Sequence, residues 1–359
     1  MKISFCVPAH NRAESVVTCV ESLISQTMPA DEYEIIVVDD GSTDGSADVV
    51  ELLFAERGFG NGRVVRLPTN SGGASVPRNE AARLAVGDYL FFVDSDDYVT
   101  SDLAERVWAC AQENDSDLIY VKHGQVGEGL VPAKGFAERG SRGRADIIGD
   151  KLLYATMVHK AFRRSEWVRL GMRFDPRIRV YEDMLVTVQF LFGTSVHSVL
   201  ADKEYYFLVN REEVRLHDAD QSLETTFELY AAVLDAILGS GLRERTYQLN
   251  SAATIINRIM RFGPASSHPY LGRTCPDSEV ARWMGLWSGL LAHLPRAADR
   301  FVSARLRNQV RGLRLGRVGV VRRAVWIEDL RGRHRTLSRV LRRVYGVSVR
   351  VRTLQRGRL

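Results

Sequence analysis

The sequence predicts an α/β fold: a mainly parallel β-sheet with helices on both faces. Two observations carry this. Short apolar runs recur along residues 1–121, and segments with helical spacing separate them. Runs without polar alternation suit strands buried on both faces, the condition of a parallel sheet.

The strands expected are Ile3–Val7, Glu34–Val38, Val64–Leu67, Tyr89–Val93 and Leu118–Val121. Between them, Glu14–Gln26 sets Val17, Val20, Leu23 and Ile24 on one helical face; Ser46–Glu56, Ala74–Val86 and Asp102–Glu113 are the other helices. Residues 122–150 are rich in glycine and charge and read as a loop or hairpin insertion. An α+β pattern returns over Lys151–Tyr206. Residues 222–262 read as helical, with Phe227, Tyr230, Val233, Leu234 and Ile237 on one face. Another helix, 278–294, carries Trp283, Leu286, Trp287, Leu290 and Leu291. The tail mixes β-like runs (Val318–Val325, Val347–Val351) with a basic helix around Thr336–Val344.

Apolar residues make up 45% of the chain and charged residues 26%, enough for an ordinary globular core. The absence of a run of about 18 apolar residues predicts no membrane-spanning helix. Met1–Val7 already reads as a strand, without signal-peptide features. Cys6, Cys19, Cys110 and Cys275 lack metal-like spacing, so reduced thiols and a cytoplasmic location are expected, with the inner face of the membrane as a possible docking place. Charge is uneven. Residues 301–359 hold 17 arginines against Glu328 and Asp329, a net +15 that leaves −10 for residues 1–300 out of +5 overall. Such a tail suits an anionic partner or the acidic body of another subunit. Poor in aromatics, with Trp326 and Tyr345 the ones beyond its first residue, it is a weak stacking platform for nucleic acid, and an oligomerisation or membrane-docking role is preferred.

Polar groups gather where these strands end, the edge at which parallel sheets bind ligands. Tyr89–Val93 runs straight into Asp94-Ser95-Asp96-Asp97. Carboxylates so spaced repel one another, and a hard divalent cation, Mg²⁺ or Mn²⁺, relieves that. A helix-capping turn before Ser101-Asp102 is the plain alternative. Ile35–Val38 runs into Asp39-Asp40-Gly41-Ser42-Thr43-Asp44, where a carboxylate can accept from a nucleobase or ribose while Ser42 and Asp44 cap the next helix. Parts of this loop match an EF-hand, but a strand precedes it where an EF-hand needs a helix. The first strand ends in Pro8-Ala9-His10-Asn11, and Asn70-Ser71-Gly72-Gly73 offers close backbone approach. Arg78 either meets a phosphate or forms an ion pair with Asp94.

These four motifs, in this order and each after the right element, resemble the family 2 glycosyltransferases, which have the GT-A nucleotide-sugar-binding fold. The likeness covers residues 1–121 almost continuously. It implies that Pro8, Ala9 and Asp40 line the nucleoside pocket, with Asp40 reading the base, and that Asp94 and Asp96 serve the ribose and a metal-bound diphosphate. Asn11, Asn70 and Ser95 join the donor-binding candidates in the same loops. Further on, His159-Lys160-Ala161-Phe162, Arg173-Phe174-Asp175 and Tyr181-Glu182-Asp183-Met184 follow the bacterial branch of the family. There the Glu-Asp pair opens a helix beneath the acceptor, which makes Asp183 a general base with Glu182 beside it; the plain alternative is complementation of the helix dipole. Arg211, after Tyr205–Asn210, is a candidate for the diphosphate. The following Glu212-Glu213 departs from the branch's Gly-Ser turn, and His217 is a weaker metal candidate.

The expected activity is inverting transfer of a sugar from a nucleotide-sugar donor, a UDP-sugar, to a hydroxyl of a polysaccharide, wall polymer or lipid-linked glycan. Residues 1–215 would form the GT-A catalytic domain, 216–300 a helical acceptor or linker region, and 301–359 the basic segment. Rival readings are tailoring of a small natural product, a nucleotidyltransferase, and a non-catalytic anion-binding module. The nucleotidyltransferase normally needs a basic, Gly-rich first loop, which Pro8-Ala9-His10-Asn11 is not.

Overall fold

A computed structural model describes residues 1–127, 135–210, 221–262, 276–304, 306–321 and 324–325. Contacts gather the chain into two compact units, Met1–Ile255 and Ile256–Leu359.

The first unit is built on a seven-stranded sheet of order β3-β2-β1-β4-β8-β6-β9. β1 (Ile3–Ala9), β2 (Tyr33–Asp39), β3 (Gly62–Arg66) and β4 (Tyr89–Phe92) run parallel, so their C-terminal ends share one edge. Every residue of β1, β2 and β4 is buried, which is why these strands read as unbroken apolar runs. Helices α1 (Ala13–Ile24), α2 (Ser46–Arg57), α3 (Ser75–Leu84) and α4 (Leu103–Asn114) connect them, close to the positions expected. Phe5, Tyr33, Phe91, Val20 and Leu23 lie in one continuous core.

One strand departs from the parallel pattern. β8 (Lys160–Arg163) lies between β4 and β6 (Leu118–Val121) and is antiparallel to both. β9 (His197–Leu200) then adds parallel to β6. A second sheet joins β5 (Tyr98–Val99), β10 (Tyr206–Val209) and β7 (His123–Val126). The expected insertion at 122–150 thus contributes a strand before its irregular part. α5 (Arg164–Arg169) precedes α6 (Glu182–Gly193), and α6 packs on α7 (Leu223–Leu238). The expected 222–262 helix is two helices. α7 stops at Gly239-Ser240-Gly241, and α8 (Arg245–Phe262) restarts after it.

Within the second unit, α9 (Asp277–His293) buries Trp283, Met284 and Trp287, and α10 (Arg307–Arg314) buries Val310 and Leu313. Arg314 ties this unit together, donating to Asp299 Oδ1 at 2.8 Å and to the carbonyls of Leu291 and Leu294 at 2.8 and 2.9 Å. The expected β-run at Val318–Val325 is corrected: residues 318–321 are helical, with Val321 buried against Gly312. Packing overrides the strand preference of valine there. The Thr336–Val344 and Val347–Val351 expectations lie outside the described residues. No described helix is long and apolar enough to cross a membrane.

Candidate active site

The loops after β1, β2, β3 and β4 meet at the shared sheet edge, and side chains lace them together. His10 Nδ1 donates to the Asp40 carbonyl at 2.9 Å, so its Nε2 is an acceptor and takes the Asn70 amide at 2.7 Å. One imidazole therefore links three loops. Asn11 holds a left-handed backbone (φ 48°) that asparagine tolerates. Its N–H donates to Ser42 Oγ and its side-chain oxygen accepts from Thr43 N, both at 2.9 Å. Asp44 accepts from Ala13 N and Ser46 N, the first residues of α1 and α2, both at 3.0 Å, so the capping expected of it holds for two helices. Asp40 is buried, and its carboxylate accepts from Ser71 N at 3.0 Å and Ser71 Oγ at 2.8 Å. Pro8 and Ala9 are buried at the end of β1, beside Asp39 and Asp40.

The acidic turn after β4 divides by burial. Asp94 and Asp96 are partly exposed; Ser95 and Asp97 are buried. Asp94 accepts from Arg78 Nη2 at 2.7 Å on one oxygen and pairs with His159 Nε2 at 2.9 Å on the other. Burial works against its charge, but Arg78 and His159 outweigh burial and hold this carboxyl well below the usual carboxylate range. Asp97 is held differently. It accepts from Tyr206 Oη at 2.7 Å and from Val209 N at 2.8 Å, and among the described residues no basic side chain pairs with it. Burial first, then the charges of Asp94 and Asp96, push its carboxyl up to about 8. Tyr206 Oη also accepts from Asp94 N at 3.0 Å, and its ring stacks on His159 at 4.1 Å, 10° from parallel.

Arg78 is the residue on which two clusters turn. Its guanidinium is 6% exposed and donates through Nη1 to Glu182 Oε1 at 2.6 Å, while Nη2 holds Asp94. Of the two roles the sequence left open, the structure places Arg78 in the ion pair and adds a second carboxylate to it. Glu182 and Asp183 form the first turn of α6, where the helix dipole favours negative charge. Tyr181 just before them has φ 68°, a left-handed conformation costing a residue of its bulk about 1–2 kcal/mol. α3 holds this approach in place. Asn79 donates to the Phe174 carbonyl and accepts from its N–H, both at 2.8 Å, and Ser75 Oγ donates to the Asp175 carbonyl at 3.2 Å.

Thus Pro8, Ala9, Asn11, Asp40, Asn70, Arg78, Asp94, Ser95, Asp96, Glu182 and Asp183 fall on one connected set of loops. Arg211 and His217 lie outside the described residues. His159 and Tyr206 were not singled out for this turn by the sequence; Tyr206 follows Asp97 by 109 residues. Among the described residues, Asp94, Asp97 and His159 bring ligand atoms within 4.8 Å of one another. Hydrogen bonds already join this trio to Arg78 and Tyr206. Of the partly exposed carboxylates in the turn, Asp94 has both oxygens in bonds to Arg78 and His159, which makes Asp96 the oxygen donor that would suit a hard cation.

Comparison with known proteins bears on what this edge does. The family model of Glycosyl transferase family 2 matches residues 4–167. Staphylococcus aureus poly(ribitol-phosphate) beta-N-acetylglucosaminyltransferase TarP is 30% identical over 308 residues, covering 84% of this chain and 92% of that protein. The chain belongs to glycosyl transferase family 2. Bacillus spizizenii poly(ribitol-phosphate) beta-glucosyltransferase is 32% identical over 321 residues, covering 87% of this chain. The chain spans half the length of that second relative. A crystal structure of S. aureus TarS 1-349 in complex with UDP-GlcNAc superposes with a TM-score of 0.83 at 27% identity, covering 90% of each chain. The mainly parallel sheet with flanking helices is thus the GT-A fold of this family.

Proposed function

We propose that this family 2 glycosyltransferase moves a sugar, with inversion, from a UDP-sugar to a hydroxyl of an anionic wall polymer of the poly(ribitol-phosphate) kind. The observation that carries the reading is the Arg78 clasp, which joins the acidic turn of a nucleotide-sugar fold to a helix opening with Glu182-Asp183. The relatives named for poly(ribitol-phosphate) transfer and the UDP-GlcNAc-bound neighbour support the donor and acceptor classes.

In this proposal Asp40 meets the base, with Pro8 and Ala9 walling the nucleoside, and Asn11, Asn70 and Ser95 shape the surrounding loops. Asp94 contacts the ribose and phosphates. Asp96, with Asp94, would hold Mg²⁺ or Mn²⁺, which when bound supplies positive charge to the diphosphate. Arg211 would add a cation there. Glu182 is committed to Arg78, so the base role falls to Asp183. Asp183 takes the proton as the acceptor oxygen attacks the anomeric carbon, the bond to the diphosphate oxygen breaks, and UDP leaves. Closely placed groups of this kind contribute a few kcal/mol each, where about 1.4 kcal/mol is tenfold in rate.

A screen of UDP-glucose, UDP-N-acetylglucosamine and their galacto epimers, with ribitol-phosphate polymer and Mn²⁺, tests the reading by UDP release and polymer labelling. Transfer from at least one donor is expected. If none gives UDP and the matching non-uridine donors do, the uridine assignment falls.

A further inference from the structure

We infer that Arg179 contacts a phosphate of the acceptor polymer and so selects anionic acceptors. This rests on the acceptor class proposed above. Arg179 stands four residues before Asp183, on the segment that α3 pins against the sheet edge. Its guanidinium lies over the loop after β3: a Cβ on Gly72 would be 3.5 Å from Nη2. The side chain therefore lies against the Asn70–Gly73 loop, and its backbone leads within four residues to Asp183 at the start of α6.

Three further observations distinguish it from an ordinary surface arginine. Its side chain is exposed and makes no hydrogen bond or ion pair among the described residues, whereas Arg177 beside it is tied to Asp175 at 2.6 Å. Its backbone is held rigid: Gln221 Oε1 accepts from both Arg179 N and Val180 N at 3.0 Å, and Gln221 Nε2 donates back to the Val180 carbonyl at 3.3 Å. The fixed backbone removes the main-chain share of the ordering cost when the side chain meets an anion, leaving only the side chain's own rotamers to be ordered. Arg78, by contrast, is 6% exposed and has both terminal nitrogens committed to Asp94 and Glu182. The open groove of about 1040 Å³ lined by Arg169, Arg173 and Arg177 does not compete for this role. Asp117, Glu166, Asp175 and Asp235 line it too, and Glu166 and Asp175 already pair with Arg169 and Arg177.

In a polyol-phosphate chain, every reacting hydroxyl has a phosphodiester within a few bonds. A hydroxyl presented to Asp183 therefore carries an anion into the reach of the long arginine side chain. The donor diphosphate is the other source of the same chemistry, and the test separates the two.

Arg179→Ala, Arg179→Glu and Arg179→Lys are measured against synthetic ribitol-phosphate oligomer, both in steady-state transfer and by fluorescence anisotropy of the labelled oligomer. Donor hydrolysis without acceptor gives the donor KM. Because Arg179 is exposed and without partners among the described residues, these variants are expected to melt with the wild type. An exposed charge pair predicts an acceptor KM and oligomer Kd raised about fivefold in Arg179→Ala. Arg179→Glu should be weaker still, Arg179→Lys partly restored, and the donor KM within about twofold of wild type. Unchanged oligomer binding, or a rise confined to the donor KM, overturns the inference. A wild type that neither binds nor glycosylates the oligomer removes the acceptor class itself, and Arg179's role with it. A wild type that uses the oligomer while Arg179→Ala does so equally well removes Arg179 alone.

Discussion

Replacing Arg78 by glutamine takes away a buried cation that touches both halves of the proposed site. Two carboxylates then lose a partner at once: Asp94 Oδ1, held at 2.7 Å, and Glu182 Oε1, held at 2.6 Å. Removing one member of a buried ion pair costs about 3–5 kcal/mol. The two pairs share one guanidinium, so their losses do not add. The Glu182 side chain is 12% exposed and that of Asp94 33%, so water compensates part of the loss at Asp94. A cost near the lower bound, about 3 kcal/mol, is expected. For a unit of this size that lowers Tm by about 6–12 °C. Calorimetry reads the melting point, and UDP release with ribitol-phosphate acceptor reads the chemistry. The double variant Arg78→Gln/Glu182→Gln should lose clearly less than the two single losses together, because Glu182 no longer carries a stranded charge. Arg78→Lys keeps the charge but lacks the fork that reaches both partners, and should fall between. A melting point within about 2 °C of wild type, with full transfer, would refute the clasp as a source of stability and alignment.

Three further outcomes are expected. Asp183→Asn should keep UDP affinity and lower transfer by about 10²–10⁴-fold, read by calorimetric UDP binding beside turnover; near-normal turnover removes Asp183 as the base. Asp96→Ala should abolish the gain in UDP affinity on adding Mn²⁺, and an intact gain would move the metal elsewhere. Asp97→Asn concerns pH. Its carboxyl is raised from 3.8 to about 8 in the folded protein, so the folded state keeps a proton that the unfolded chain releases above about pH 4. Wild-type stability from this group is therefore present at low pH and drains away as pH rises through that window. The variant should gain on wild type between pH 5 and pH 8 in denaturant titrations, and a constant difference across the window would refute the shift.

How much was legible depended on sequence separation. β1, β2 and β4 were plain because a strand buried on both faces must be apolar throughout. β8 was hidden because Lys160-Ala161-Phe162-Arg163 is short and bounded by charge. Its lysine is nevertheless buried, bonded to the Met157 carbonyl and lying 4.7 Å from the Tyr120 ring. A polar residue satisfied by tertiary partners leaves no mark in a hydropathy pattern. The break between α7 and α8 did leave one, the two glycines around Ser240, which periodicity alone smoothed over.

At the site, the sequence listed the participants but could not show which charges cancel. Asp94, Asp96 and Asp97 look alike as a string, and their repulsion pointed to a cation, with Asp96 and Asp94 as its expected ligands. In the fold they diverge. Asp94 is bonded to Arg78 and His159, Asp97 is buried against Tyr206 and a backbone N–H, and Asp96 lies partly exposed beside them. The partners come from 16, 65 and 109 residues away, on α3, beside β8 and on β10. A carboxylate's role is set by what compensates it, and compensation is a tertiary property. In the proposed mechanism the same reasoning gives Glu182 an aligning role. Its charge is already matched by Arg78, so a proton taken by Glu182 would break the pair that orients the helix, whereas Asp183 can take one with that pair intact.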